Sequence, residues 1–454
     1  MLKELHLVKV GPCEEMKIVF KRRLNLLTGD NGLGKSFLLD IAWWAMTRHW
    51  PRTLNKALVS GYVARPDSSK EGSIEFVVEG MSNKGVRYKS QFSARDEEWT
   101  GKVGRPYNPG LVLYAMADGG FAVWDPARNY WKTVGGQDVP GRVPAYVFSA
   151  RDVWDGLKDE GGGLPSCNGL LSDWAGWQKE GGAAFRRLCL VLARLSESET
   201  EPLVPGPLTR VSKDDARDIP TLQTAYGKAV PVLHASSGVR RIIALAYLLV
   251  WSWQEHQAAS ALNEEDTAPQ VVFLIDEIEA HLHPRWQRMI VSALLDVTRE
   301  LAGEAQVQLI VATHSPMVMA SAEPRFESKV DAWFDLDLVA AGASRPAGVQ
   351  LVQRPFERLG DVSRWLVSQA FDLGSARSRE AEVLIAQAEA LAQDPGATAS
   401  DGEKLTRELE NVLGDIDPFW SRWRIAGAQR GWWDLPSPFA TTAPVRRNRK
   451  GKAP

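Results

Sequence analysis

Short stretches rich in apolar residues open the chain. Leu2 to Val10, Glu15 to Phe20 and Leu24 to Thr28 read as three short strands, split by the turn signal Gly11-Pro12 and the basic cluster Lys21-Arg22-Arg23. A glycine-rich loop follows, after which Phe37 to His49 takes a helical period. Ala57 to Val63, Ser73 to Glu79 and Val86 to Phe92 return to the strand pattern, a predicted β-meander with Gly, Pro and Ser in its turns. From about residue 100 to 225 the chain becomes rich in Gly, Pro and Trp. This stretch reads as an insertion holding candidate hairpins at Leu111 to Tyr114 and Phe121 to Trp124 and a helix, Ala184 to Leu195. A helix over Val239 to Glu255 and a polar loop, Ala258 to Gln270, lead to the almost wholly apolar Val271 to Ile275. Such a run suits a central parallel strand covered on both faces. Arg285 to Leu301 reads as helix and Val307 to Ala312 as a second apolar strand. Beyond Gly348 the pattern is helical: Val362 to Phe371, Arg379 to Gln393, and a helix capped by Ser400 with Glu403 as its capping-box partner. The expected organisation is an α/β head over 1–345 with an antiparallel β lobe and an insertion at about 100–225. A C-terminal helical region over 346–435 and a Pro- and basic-rich tail over 436–454, expected to be disordered, complete it.

Composition narrows the classes. With 454 residues the chain can bury a sizeable core, and 54 Lys plus Arg against 56 Asp plus Glu exclude a uniformly basic nucleic-acid-coating protein. Cys13, Cys167 and Cys189 form no CxxC pair, which excludes a zinc hook or ribbon and fits a reducing compartment. The first strand carries Lys3 and Glu4, so no signal-peptide core is expected. The longest apolar run, Ile242 to Trp251, is far short of the roughly 20 residues that span a bilayer. A cytoplasmic protein without a membrane partner is the expectation.

Four segments carry chemistry. Gly29-Asp30-Asn31-Gly32-Leu33-Gly34-Lys35-Ser36 meets the phosphate-loop pattern GxxxxGK[ST] in full, between a predicted strand and a predicted helix. Gly29, Asn31, Gly32 and Gly34 would turn backbone N–H groups toward ATP phosphates, Lys35 would reach the β and γ phosphates, and the Ser36 hydroxyl would coordinate Mg²⁺. The apolar strand to Ile275 ends in Asp276-Glu277, and desolvated carboxylates need a cation or donors. Asp276 is therefore expected to serve Mg²⁺ and Glu277 to act as general base. A second apolar strand ends in Thr313-His314-Ser315-Pro316, which places His314 to sense the γ phosphate. The fourth, Ser236-Ser237-Gly238 at the start of a helix, reads equally as an anion site and as an N-cap with a turn.

In order and content these segments resemble the ABC-type ATPase heads of the SMC, RecF and OLD class. LNLLTGDNGLGKS, SSGVRR, LIDEIEAHLHP and ATHSP also resemble stand-alone ATPases of bacterial anti-phage systems, Septu-like ones included. The resemblance covers most of residues 1 to 320 and implies a P-loop NTPase fold with ATP and Mg²⁺. It further implies a head-to-head homodimer or higher oligomer in which Ser237 and Gly238 touch the γ phosphate held by the partner head. Glu279, His281 and His283 would occupy the segment linking the two sites, although a helix start with solvated polar residues accounts for them as well. The signature lacks the glutamine of the LSGGQ form, and Gln91 and Ser149-Ala150-Arg151 both stand as candidates for the glutamine loop.

The function so implied is an ATP-hydrolysing subunit that controls a separate effector, a nuclease, in phage defence. A RecF-like ATP-dependent DNA clamp is the alternative, and salt-sensitive, ATP-dependent DNA binding without a partner would favour it. Asp335-Leu336-Asp337 offers the acids of an OLD-type nuclease but lies too close after His314 for the preceding half-domain, and reads as an exposed strand edge; no intrinsic nuclease is expected. Asp152, Asp155 and Asp159 share the spacing of a solvated helix face. The tail Arg446 to Lys452 could touch nucleic-acid phosphates or simply aid solubility, and Trp420, Trp423, Trp432 and Trp433 suit an interface or core of the C-terminal helices.

Overall fold

The computed structural model describes residues 1–66, 72–80, 85–101, 107–130, 132–134, 137–139, 145–158, 165–198, 202–339 and 348–434. The expected basic tail and Asp159 lie outside the described residues. An eight-stranded sheet forms the centre of the first compact unit, Met1–Phe371. Its five middle strands are parallel, in the order Leu111–Ala115, Gln270–Ile275, Gln306–Ala312, Leu24–Gly29, Ala332–Val339. Phe121–Trp124 and Tyr146–Phe148 extend one side and Gly348–Arg354 the other, all antiparallel to their neighbours. Every residue of Gln270–Ile275 is buried, as its unbroken apolar run requires of a strand covered on both faces.

Each face of this sheet has its own core. On one side Trp43, Leu39 and Ile41 of the helix Lys35–Thr47 pack between the large sheet and a five-stranded antiparallel lobe. That lobe has the order Glu15–Val19, Leu2–Val8, Ser73–Glu79, Gly85–Ser93, Glu98–Trp99. On the other side the long helix Ser237–Leu262 and the helices Ala183–Arg194 and Ile290–Ala302 cover Leu113, Phe273 and Leu309. The chain is thus α/β, a P-loop NTPase head with an antiparallel lobe.

Several expectations change. The stretch 100–225 is not wholly an insertion, because Leu111–Ala115 pairs in parallel with Gln270–Ile275 and brings its hairpin partner into the central sheet. Ala57 to Val63 forms no strand; the Gly61 N–H bonds the Asp40 carboxylate instead of a neighbouring strand. The helix expected over Arg285 to Leu301 is broken into Pro284–Gln287 and Ile290–Ala302. The first unit also runs past residue 345: Gly348–Arg354 pairs with Ala332–Val339, and the Trp365 indole N–H donates to Glu323 Oε1 at 2.7 Å within the core. Val362 to Phe371 shortens to Val362–Leu366.

The second unit starts at Asp372. Its helices Arg379–Gln393, Ala399–Glu410 and Phe419–Gln429 enclose a small core of Leu405, Leu409, Phe419 and Trp423, with Trp420, Trp432 and Trp433 packed against it. The middle helix is capped not by Ser400 with Glu403 but two residues earlier, by Thr398 with Asp401.

Candidate nucleotide site

The loop 29–34 leaves the central strand Leu24–Gly29 and enters the helix Lys35–Thr47. Two of its glycines are dictated by close approach. A Cβ on Gly29 would stand 2.3 Å from the Leu336 carbonyl oxygen, and one on Gly34 would meet Pro12 at 2.9 Å. Both also have left-handed backbones, φ +131° and +99°. No side chain caps the helix N-terminus, so its first N–H groups remain available for an anion. Asn31 and Gly32 are exposed at the loop tip.

Lys35 is buried, and its ammonium donates to the carbonyls of Gly29 at 2.6 Å and Asp30 at 2.9 Å. One of its three donors remains for a phosphate. Burial pulls its pKa down to about 8, against the opposing pull of Asp276, Glu279, Asp30 and Glu277.

Asp276 follows the acidic strand and is buried, its backbone N–H bonded to Ala115 O at 2.9 Å. Its pKa is pushed up to about 6, first by burial; the neighbouring Ser36 hydroxyl works the other way, and Glu277 adds to the rise. Asp276 Oδ1 is buried without a hydrogen-bond partner. An orphaned, desolvated carboxylate oxygen beside a hydroxyl is what a hard cation such as Mg²⁺ would satisfy, so the residues present fit that ion. Glu277 has a left-handed backbone at φ +45° and leaves the strand toward His314, whose Nε2 stands 4.0 Å from Glu277 Oε1. The His314 imidazole is also within hydrogen-bonding reach of the Gly29 carbonyl, and burial followed by the Lys35 charge lowers its pKa.

The fold therefore brings together the phosphate loop, the acidic pair and the histidine, which lie far apart in the chain. Among the described residues no hydrogen bond or ion pair joins Ser236, Ser237 or Gly238 to Gly29–Ser36. The Ser236 hydroxyl accepts from Val239 N at 3.4 Å as the helix cap, Ser237 is exposed, and a Cβ on Gly238 would lie 2.7 Å from the His281 carbonyl. His283 caps the short helix Pro284–Gln287.

Neither candidate for the glutamine loop enters this cluster. Gln91 lies on the antiparallel lobe opposite Ser73, and Ser149 caps the helix Ala150–Asp155 in a box with Asp152. The strand Leu111–Ala115 beside Gln270–Ile275 leads instead into Met116 and Ala117, whose carbonyls accept from the Arg241 guanidinium.

Residues 24–320 match the family described as AAA domain, putative AbiEii toxin, Type IV TA system. The chain belongs to this AAA-domain family. The matched span holds every residue of the cluster. A curated relative, the Retron Vc95 probable ATPase of Vibrio cholerae serotype O1 biovar El Tor, is 42% identical over 50 residues, a stretch that spans 11% of this chain and 9% of that protein. Among solved structures, the SMC head domain from Thermotoga maritima is similar at 15% identity and a TM-score of 0.36, over 78% of this chain and 99% of that one. The recombination mediator RecF with bound ATPrS is similar at 13% identity and a TM-score of 0.35, over 74% and 95%. Among the described residues of the AAA-domain chain, no helix is long and apolar enough to cross a membrane.

Residues that the motifs did not expose complete the picture. Asp335 is no exposed edge: it is buried, it accepts from the Thr28 hydroxyl at 2.8 Å, and Gly348–Arg354 covers the strand that carries it. Asp40, an acid inside the apolar helix sequence FLLDIAWW, accepts from the Tyr114 hydroxyl at 2.9 Å. Its place among apolar neighbours was the available signal.

Proposed function

We propose that the chain binds ATP with Mg²⁺ at Gly29–Ser36, hydrolyses it, and pairs head to head with a second copy to control a separate effector, a nuclease, in anti-phage defence. The observation that carries the ATPase reading is the convergence of Lys35, the Ser36–Asp276 pair and the Glu277–His314 pair at the mouth of one parallel sheet. Ser36 and Asp276 are the residues that would hold Mg²⁺, which when bound supplies charge neutralisation for the phosphates. The loop amides and Lys35 bind and orient the phosphates. Glu277, half-exposed at the strand end, takes the proton of the attacking water, and His314, whose neutral form burial and the Lys35 charge favour, faces both that carboxylate and the loop. The exposed Ser237 and the Gly238 packed on His281 support a signature surface offered outward, to a partner head. Similarity over a short stretch to a retron ATPase supports the defence setting.

Steady-state ATP turnover with two variants tests the catalytic core. Lys35→Ala should lose nucleotide affinity in calorimetry; because Lys35 also ties down its own loop, a thermal melt accompanies it. Glu277→Gln keeps the shape and loses the proton acceptor, so it should bind ATP normally and turn over about 10²–10⁴-fold more slowly. Near-normal turnover in the Gln variant would remove Glu277 from the role of base.

A further inference from the structure

The histidine that faces the phosphate loop is held by a carboxylate outside the four motifs. Glu279, two residues beyond Glu277, turns inward. Its Oε2 accepts from the Thr313 hydroxyl at 2.7 Å, and its Oε1 accepts from the backbone N–H of His314. Thr313 is fully buried and fixed further by its own N–H to Leu27 O at 3.0 Å, while its hydroxyl oxygen accepts from Ser315 N at 3.0 Å. The His314 side chain itself meets Glu277 at 4.0 Å and the Gly29 carbonyl, with the charges of Lys35 and Asp30 nearby. The backbone that Glu279 holds sets where the imidazole starts, and these neighbours are what it must reach.

We propose that Glu279 is a positioning residue whose carboxylate, by bonding the Thr313 hydroxyl and the His314 N–H together, keeps the His314 imidazole between Glu277 and the phosphate loop. This inference rests on the ATPase reading for its kinetic consequence but not for its structural one. Burial raises the Glu279 pKa, against the pull of these same two hydrogen bonds. The task is geometric, and an amide can do most of it: the glutamine oxygen accepts from His314 N and its NH₂ donates to the Thr313 oxygen, although the Thr313 hydroxyl proton then loses its acceptor. A base at this position would not tolerate that exchange. The segment has a second brace, since the Ser315 hydroxyl donates to Gln287 Oε1 at 2.6 Å, so removing Glu279 loosens the histidine without freeing the whole loop.

The test uses the full chain with Glu279→Ala, Glu279→Gln, His314→Ala and the Glu279→Ala/His314→Ala double variant. Loss of Glu279 should lower kcat by about tenfold to a hundredfold, as expected for a misplaced group, with KM nearly unchanged. Glu279→Gln should recover most of the loss, and the double variant should be no slower than His314→Ala alone. A Glu279→Ala chain with wild-type kcat, a Gln variant as slow as Ala, or additive losses would each overturn the proposal. If Glu279→Ala does not fold, Thr313→Val should show the slowing and Thr313→Ser should not; a Val variant as fast as wild type would overturn it equally. Histidine ring NMR on ¹³C-labelled protein, with the His314 signal assigned by its loss in His314→Ala, reads the position without any turnover. That signal should shift in Glu279→Ala and return in Glu279→Gln, and an unmoved signal sinks the inference. Absence of Lys35-dependent ATP turnover in the wild type would instead sink the ATPase reading and leave the NMR result to decide the role of Glu279.

Discussion

At the scale of single residues, burial sets the protonation of the acids around the loop, and Asp40 gives it a consequence for stability. The residue is 8% exposed, and burial pushes its pKa up to about 7; the Tyr114 hydroxyl partly offsets this, while Asp276 and Asp118 add to it. The unfolded chain has the ordinary value of 3.8. The folded state therefore holds the Asp40 proton more tightly, so the stability it contributes is complete below about pH 4 and is lost as pH rises through about 7. Each tenfold bias in protonation is worth about 1.4 kcal/mol. Asp40→Asn keeps an acceptor for Tyr114 and has no proton to lose. Its melting temperature relative to the wild type should rise between pH 5.5 and pH 8.5, and a difference that does not vary with pH would show that Asp40 does not titrate there.

Among elements, the contact that shapes the site is that of the phosphate-loop strand with Ala332–Val339. Asp335 lies opposite Thr28 and Leu336 opposite Gly29 in that pairing, so the loop begins against the backbone of its neighbour. A Cβ at Gly29 meets a carbonyl that cannot step aside without breaking the ladder, whereas one at Gly32 meets nothing within 4 Å and suffers only its φ of +82°. Gly29→Ala should then cost more than Gly32→Ala, about 2–4 kcal/mol against about 1 kcal/mol in denaturant unfolding. Equal costs would mean that the strands separate easily at this point. The same crowding explains why the loop is held firmly at its base and exposed at Asn31 and Gly32, where a ligand would approach.

For the whole molecule, the proposed pairing of heads predicts complementation. Ser237→Arg leaves the phosphate loop intact and Lys35→Ala leaves the signature surface intact. A mixture of the two chains should recover ATP turnover that neither has alone, because some mixed dimers contain one complete site. Recovery should scale with the fraction of mixed dimers measured by native mass spectrometry. No recovery in confirmed mixed dimers would mean that Ser236–Gly238 only cap their helix.

What the sequence determined by itself was the local pattern. Phosphate binding needs glycines, a lysine and a hydroxyl at fixed spacing between strand and helix, and that spacing is written in consecutive residues from Gly29 to Ser36. The buried strands before Asp276 and His314 were equally legible, because covering both faces of a strand forces an unbroken apolar run. Only the tertiary structure decided which strands lie side by side, since that choice is made by pairings between residues far apart in the chain. Leu111–Ala115 joined the central sheet through Gln270–Ile275, Asp335 lies interior against the Thr28 hydroxyl and the Arg354 guanidinium, and the first unit extended to Phe371 as Gly348–Arg354 paired with Ala332–Val339. Glu279 belongs to this second class: an acid two residues past the acidic pair looks solvated in one dimension, and only the parallel neighbour that delivers Thr313 and His314 turns it inward.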